Sequence, residues 1–153
     1  MKMTIFNGLK ERVAHRIQGW KEILLLKVGR EILIKSVAQF ILTYTMSCFK
    51  VPQGWCDDIQ VMVWWGQKEN EHKIHSLNWG KLCQSKEDGG VGFLDLHCFN
   101  MALLAKQGWR LLTSPTSLFY RVYKSKYFPH CSFLKAKLGS NPSFIWRSII
   151  ATR

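Results

Sequence analysis

The chain has 153 residues, 47% of them hydrophobic and 13% aromatic, with a formal net charge of +12. That much apolar material supplies a packed core for one domain of ordinary size and argues against a disordered chain. The five cysteines are odd in number and widely spaced, which argues against a disulfide framework and fits a reducing compartment.

The charge is unevenly distributed. Residues 1–50 hold nine Lys/Arg and three acids, residues 51–100 four and seven, and residues 101–153 nine and none. Asp95 is the last acidic side chain. A polyanionic partner is the natural reading, because Lys and Arg pair phosphates and release their counterions. A basic protein with no such partner is the plainer alternative. No secretory signal is expected, since Lys2 is followed by no sustained apolar region. The longest uncharged run, Ser36 to Phe49, is shorter than the roughly 20 residues that span a bilayer, so no membrane partner is expected.

Taken in chain order, Phe6, Leu9, Val13, Ile17 and Trp20 recur at spacings of 3, 4, 4 and 3, one face of a helix flanked by Lys10, Arg12 and Arg16. Glu11 and this core-type face favour an ordinary helix over an amphipathic presequence. A second helix is expected from about Gly29 to Met46, with Ile32, Leu33, Val37, Phe40, Ile41 and Tyr44 as its apolar face. Pro52 and Gly54 break the chain, and Asp57 or Asp58 then caps a short helix through Ile59, Met62 and Trp65. Gln67 to Gly92 reads as loop, with a short strand near Ile74 and a short helix near Trp79–Cys83. A helix from about Leu96 to Leu112 follows, with Phe99, Leu103, Lys106 and Trp109 among its positions, and Ser114-Pro115 ends it. Ser117 opens the next, which reaches about Tyr127 before Pro129. Ser143 is a good N-cap for a last helix, Phe144 to Thr152. The fold class is mainly α: about six helices and one irregular loop region, with the first two long helices packed antiparallel.

Few constellations carry chemistry. Trp55-Cys56-Asp57-Asp58 imitates the aromatic-x-Asp-Asp signature of polymerases. Two-metal phosphoryl transfer needs carboxylates converging from separate strands, and no Asp precedes position 57. Helix capping is the ordinary role for this pair. His72, His75 and Cys83, His97 with Cys98, and His130 with Cys131 are candidate metal ligands, but no Cys-x-x-Cys occurs anywhere. No metal and no cofactor are expected. Gly89-Gly90-Val91-Gly92 lacks the following Lys-Ser/Thr of a phosphate loop and reads as a turn.

The strongest physical signal is Leu118 to Phe128. On a helix, Leu118, Phe119, Val122 and Tyr123 would form a core face, and Tyr120, Arg121, Lys124 and Tyr127 would cluster opposite. Tyrosine rings beside Arg and Lys suit stacking and phosphate pairing together. A solvated basic face with tyrosines at its rim is the equal alternative.

Several blocks, in order, resemble one family. Val28-Gly29-Arg30-Glu31-Ile32-Leu33-Ile34-Lys35-Ser36-Val37 after Gly19-Trp20 resembles the "W … AGR..LIKSV" block of plant LINE-type (non-LTR) reverse transcriptases. Tyr44 to Pro52, Val63-Trp64-Trp65-Gly66, Lys86 to Leu96 (similar to "K..GGLGFRDL") and Phe99 to Arg110 (similar to "FN.ALLAKQ.WR") continue the series. Lys126-Tyr127-Phe128-Pro129 and Pro142 to Ile149 close it. Similar stretches occur as short plant open reading frames, mitochondrial ones included. Leu25, Val63 and Leu94 depart from the family's usual residues.

The resemblance implies a segment between the polymerase palm and a downstream zinc-binding and ribonuclease H region. It implies a thumb-like helical segment over 1–66, a polar hinge over 67–92 and a basic helical linker over 93–153. Catalytic carboxylates would lie outside it, so a non-enzymatic segment is expected, packed on the rest of the reverse transcriptase in a parent protein. The expected partner is nucleic acid, RNA or DNA. Arg12, Arg16, Lys21, Arg121, Lys124 and Lys126 would contact phosphates, and Tyr120 and Tyr127 would stack on bases. The compartment stays open between nucleus, cytoplasm and mitochondrion, and the rival reading is an inert retroelement remnant.

Overall fold

A computed structural model describes residues 2–21, 29, 32, 39–65 and 79–153. The described residues are helical, without strands: α1 (Lys2–Lys21), α2 (Gln39–Cys48), α3 (Gln53–Trp65), α4 (Trp79–Cys83), α5 (Leu96–Thr113), α6 (Leu118–Tyr127) and α7 (Phe144–Ile150), with a 3-10 turn at Phe133–Lys135. The mainly α expectation therefore holds. The expected strand near Ile74, most of the hinge over 67–92, and the pairing of the first two long helices fall outside the described residues. The chain divides into two compact units: residues 1–43 with 51–97, and residues 44–50 with 98–153.

In unit one, α1 buries Phe6, Leu9 and Val13, the face read from the spacing. It packs against α3. The Trp55 indole donates to the Phe6 carbonyl at 3.2 Å with the two rings 5.8 Å apart, and Lys10 reaches Asp58 at 3.4 Å. Such an exposed pair contributes at most about 1 kcal/mol. Helix α3 corrects the expectation that Asp57 or Asp58 caps it. It begins at Gln53, directly after Pro52, whose carbonyl accepts from the Trp55 and Cys56 amides. The proline ends the preceding stretch and its fixed φ suits a helix entry, so α3 starts a turn earlier. Asp57 then lies inside the helix, accepting from Gln53 Nε2 at 3.1 Å.

Residues 84–93 fold back on α4. The Val91 and Phe93 amides donate to the Leu82 carbonyl, the Gly92 amide to Gln84, and the Trp79 and Phe93 rings stack 5.4 Å apart. Gly89 and Gly92 sit at φ of 77° and 69°, and a Cβ at Gly90 would strike the Gln84 carbonyl. Glycine is required here by backbone conformation and close approach.

In unit two, the deepest line of α5 runs through Asn100, Leu104, Gly108 and Leu111. Gly108 leaves room for the Phe133 ring, 3.3 Å from where a Cβ would stand. Asn100 is fully buried and donates to the Met46 and Phe49 carbonyls at 2.7 and 2.9 Å, closing the C-terminal end of α2. On α2 the buried residues are Leu42 and Met46, whereas Phe40 and Tyr44, read as apolar-face positions, are each 79% exposed. The Ser117 hydroxyl caps α6 by accepting from the Tyr120 amide, and Ser143 caps α7 by accepting from Trp146, as the sequence predicts.

Candidate nucleic-acid interface

Unit two is a folded body without a single side-chain carboxylate. It holds ten Lys and Arg and no Asp or Glu, a formal +10, whereas unit one holds twelve and ten, a formal +2. Its cations therefore have no acidic side chain within the unit to pair with.

The core behind this charge is aromatic. Trp146 is fully buried, and Tyr127 stacks on it at 4.6 Å with 6° between planes. Phe128 stacks at 5.8 Å, and Tyr123 and Phe133 close around the same indole. Leu111, Ala136 and Ile149 complete the cluster. The Trp146 Nε1–H has no hydrogen-bond partner among the described residues. That is a local penalty of about 1–3 kcal/mol, outweighed by the rings around it.

This cluster keeps Phe119 and Tyr123 on the core side of α6 as expected, but exchanges Leu118 and Val122 for Tyr120 and Tyr127. Leu118 is 73% exposed and Val122 51%, whereas Phe119, Tyr120, Tyr123 and Tyr127 pack against the core. The physical reason is long-range. α7 brings Trp146 against α6, and rings bury more area on an indole than Leu or Val can.

The predicted site residues divide accordingly. Arg12 is exposed on α1; the side chains of Arg16 and Lys21 lie outside what the structure describes. Arg121 and Lys126 are exposed on α6, and the Lys126 ammonium lies 5.4 Å over the Tyr127 ring. Lys124 is half-buried, donates to the Cys131 carbonyl at 2.7 Å and lies 5.4 Å over Phe128. The Tyr127 hydroxyl accepts from the Ser143 amide at 3.3 Å. Burial works against its phenolate, but the Ser143 hydrogen bonds and the Lys126 charge outweigh it and the pKa falls below the ordinary value. Burial raises Tyr123, with Tyr127 and Cys48 adding to the rise. The Tyr120 ring meets Phe128 edge-on at 6.0 Å. Both predicted stacking tyrosines thus serve the core.

The other candidate sites resolve locally. The amides of Gly89, Gly90 and Gly92 donate to Lys86, Ser85 and Gln84 carbonyls, and that of Val91 to Leu82, so this loop offers none of them to a phosphate. Among the described residues no group of three or more His, Cys, Asp or Glu side chains could hold a metal ion; His72 and His75 lie outside them. All five cysteines are free, and burial, with Asp57 and Asp95 nearby, pushes the Cys56 thiol up to about 11. Among the described residues no helix is long and apolar enough to cross a membrane.

The sequence has relatives in Arabidopsis thaliana. An uncharacterized mitochondrial protein is 46% identical over 114 residues, which cover 72% of this chain and 74% of that protein. The chain belongs to this protein's family. A second Arabidopsis protein, named provisionally as a ribonuclease H protein, is 34% identical over 151 residues. That match covers 94% of this chain but 24% of the longer protein. With the ordered sequence blocks, the two relatives point to plant retroelement-derived proteins. No protein-family model and no solved structure matches the chain.

For this family member, sequence reasoning passed over part of unit two's basic surface. Lys106, Arg110, Lys135, Lys137 and Arg147 are exposed there alongside Arg121 and Lys126. The signal was the acid-free composition after Asp95, which marks the whole unit rather than one helix.

Proposed function

We propose that this chain is a non-catalytic segment of a plant LINE-type reverse transcriptase, and that unit two grips the phosphates of nucleic acid. The reading is carried by one observation: a well-packed unit with ten cationic side chains and no Asp or Glu. Self-repulsion destabilises such a body, and a polyanion relieves it by replacing condensed counterions. Two-metal hydrolysis needs carboxylate ligands, so unit two cannot host it. Template–primer duplex is the substrate that the resemblance implies.

Arg121 and Lys126 are the best test positions, because both are exposed, whereas Lys124 also holds the Cys131 carbonyl. Arg121→Glu with Lys126→Glu should weaken binding of labelled duplex and of labelled single strand together, with the helical circular dichroism unchanged. Equal binding by the double variant and the native chain would remove α6 from the interface. The rival reading, an inert remnant, draws on the departures at Leu25, Val63 and Leu94. It is tested by the same titration, since an inert chain gains no saturable, salt-sensitive binding.

A further inference from the structure

Tyr120 and Tyr127 are half-buried against the core, so a more open ring for a base is sought elsewhere in unit two. Trp109 on α5 is 64% exposed. Lys106 and Arg110 are exposed too, and stand three residues before Trp109 and one after it. Positions 106, 109 and 110 are neighbours on a helix surface, with Cβ atoms roughly 5–6 Å apart for the i, i+3 and i, i+4 pairs. Ala102 and Ala105 extend the same strip with small exposed side chains. The Arg110 guanidinium is held in place: Nη1 donates to Gln107 Oε1 at 3.1 Å, and the group lies 5.2 Å over the Phe119 ring.

We infer that the Lys106–Trp109–Arg110 face of α5 is a stacking platform for the unpaired bases of a single nucleic-acid strand, which rests on the nucleic-acid reading above. An indole offers a sequence-tolerant surface to any base, and cations beside it catch the flanking phosphates. The absence of carboxylates from unit two favours this occupant, since nothing acidic on the unit repels a strand laid along the strip. Bases inside a duplex are stacked on one another and cannot use the platform, so its signature is selectivity for single strands.

The test titrates the full chain with a labelled oligothymidylate and with a blunt duplex of equal length. Trp109→Ala should weaken single-strand binding at least about five-fold, the low end of base–aromatic stacking, with far less effect on the duplex. Trp109→Phe should retain most of the affinity. Leu118→Ala removes an equally exposed apolar side chain from α6 and should change neither ligand's binding. If the native chain binds both oligonucleotides and Trp109→Ala binds them equally well, the platform is overturned and the phosphate grip stands. If the native chain binds neither, both readings fall. If Trp109→Ala instead abolishes a concentration-dependent self-association and leaves strand binding intact, the face is a protein contact and the platform is overturned.

Discussion

Removing the Asn100 side chain tests how unit two is held together. Its amide donates to the Met46 and Phe49 carbonyls at 2.7 and 2.9 Å. Met46 and Asn100 are both fully buried, so solvent does not substitute at that end. Each net hydrogen bond contributes about 0.5–1.5 kcal/mol, and a buried acceptor left unpaired costs about 1–3 kcal/mol. Asn100→Ala should therefore destabilise by about 2–4 kcal/mol, read from urea unfolding followed by circular dichroism and tryptophan fluorescence. Asn100→Asp has nearly the same shape but turns acceptors toward two carbonyl oxygens. At neutral pH it should be worse than alanine. Its burial raises the new carboxyl's pKa, so part of the loss should return on acidification, when a protonated carboxyl donates one bond. An alanine variant within about 0.5 kcal/mol of the native chain, below the value of one ordinary hydrogen bond, would show that Asn100 does not hold these carbonyls. So would an aspartate variant no worse than alanine.

Other perturbations read other parts of the fold. Ser117→Ala removes the hydroxyl that accepts from the Tyr120 amide and should cost about 0.5–2 kcal/mol in the same unfolding assay. Gly90→Ala pushes a methyl into the Gln84 carbonyl and should cost about 1–3 kcal/mol, whereas Gly8→Ala, inside α1 with nothing near the new methyl, should stabilise by about 0.5–1 kcal/mol. The Cys56 thiol is raised to about 11 from 9.0 in the folded chain. A raised thiol keeps its proton when folded but loses it sooner when unfolded. Its contribution to stability is thus full below pH 9.0 and is lost as pH rises toward about 11. Cys56→Ala should flatten that alkaline loss, and Cys56 should be among the slowest thiols to react with a disulfide reagent at neutral pH, behind exposed Cys98.

Elements governed by local chemistry were legible in the sequence. Ser117 and Ser143 announce the starts of α6 and α7, and Pro129 lies just past the end of α6. The spacing of Phe6, Leu9 and Val13 gives the buried face of α1. What failed was decided by partners distant in sequence. The faces of α6 depend on Trp146, brought in by α7, which binds the tyrosines inward and leaves Leu118 and Val122 in water. The start of α3 turned on Pro52 rather than on the acidic pair that follows it. Nothing local signals that Asn100 reaches back to the end of α2. The candidate interface was legible as composition, through the acid-free stretch after Asp95, but not residue by residue. Charge is additive along a chain, whereas exposure is set by packing, so the sequence indicates the partner's sign better than the contacts.

A phosphate grip shows itself in the salt dependence of binding. Affinity of the full chain for a labelled oligonucleotide would be measured between about 50 and 200 mM salt. With Z phosphates neutralised, log K falls linearly with log salt, with a slope of about −0.9Z for duplex and −0.7Z for single strand. A steep fall is expected for both, shallower by roughly one contact's slope for each of Arg121→Glu and Lys126→Glu. An affinity that stays flat across that range would contradict the phosphate grip.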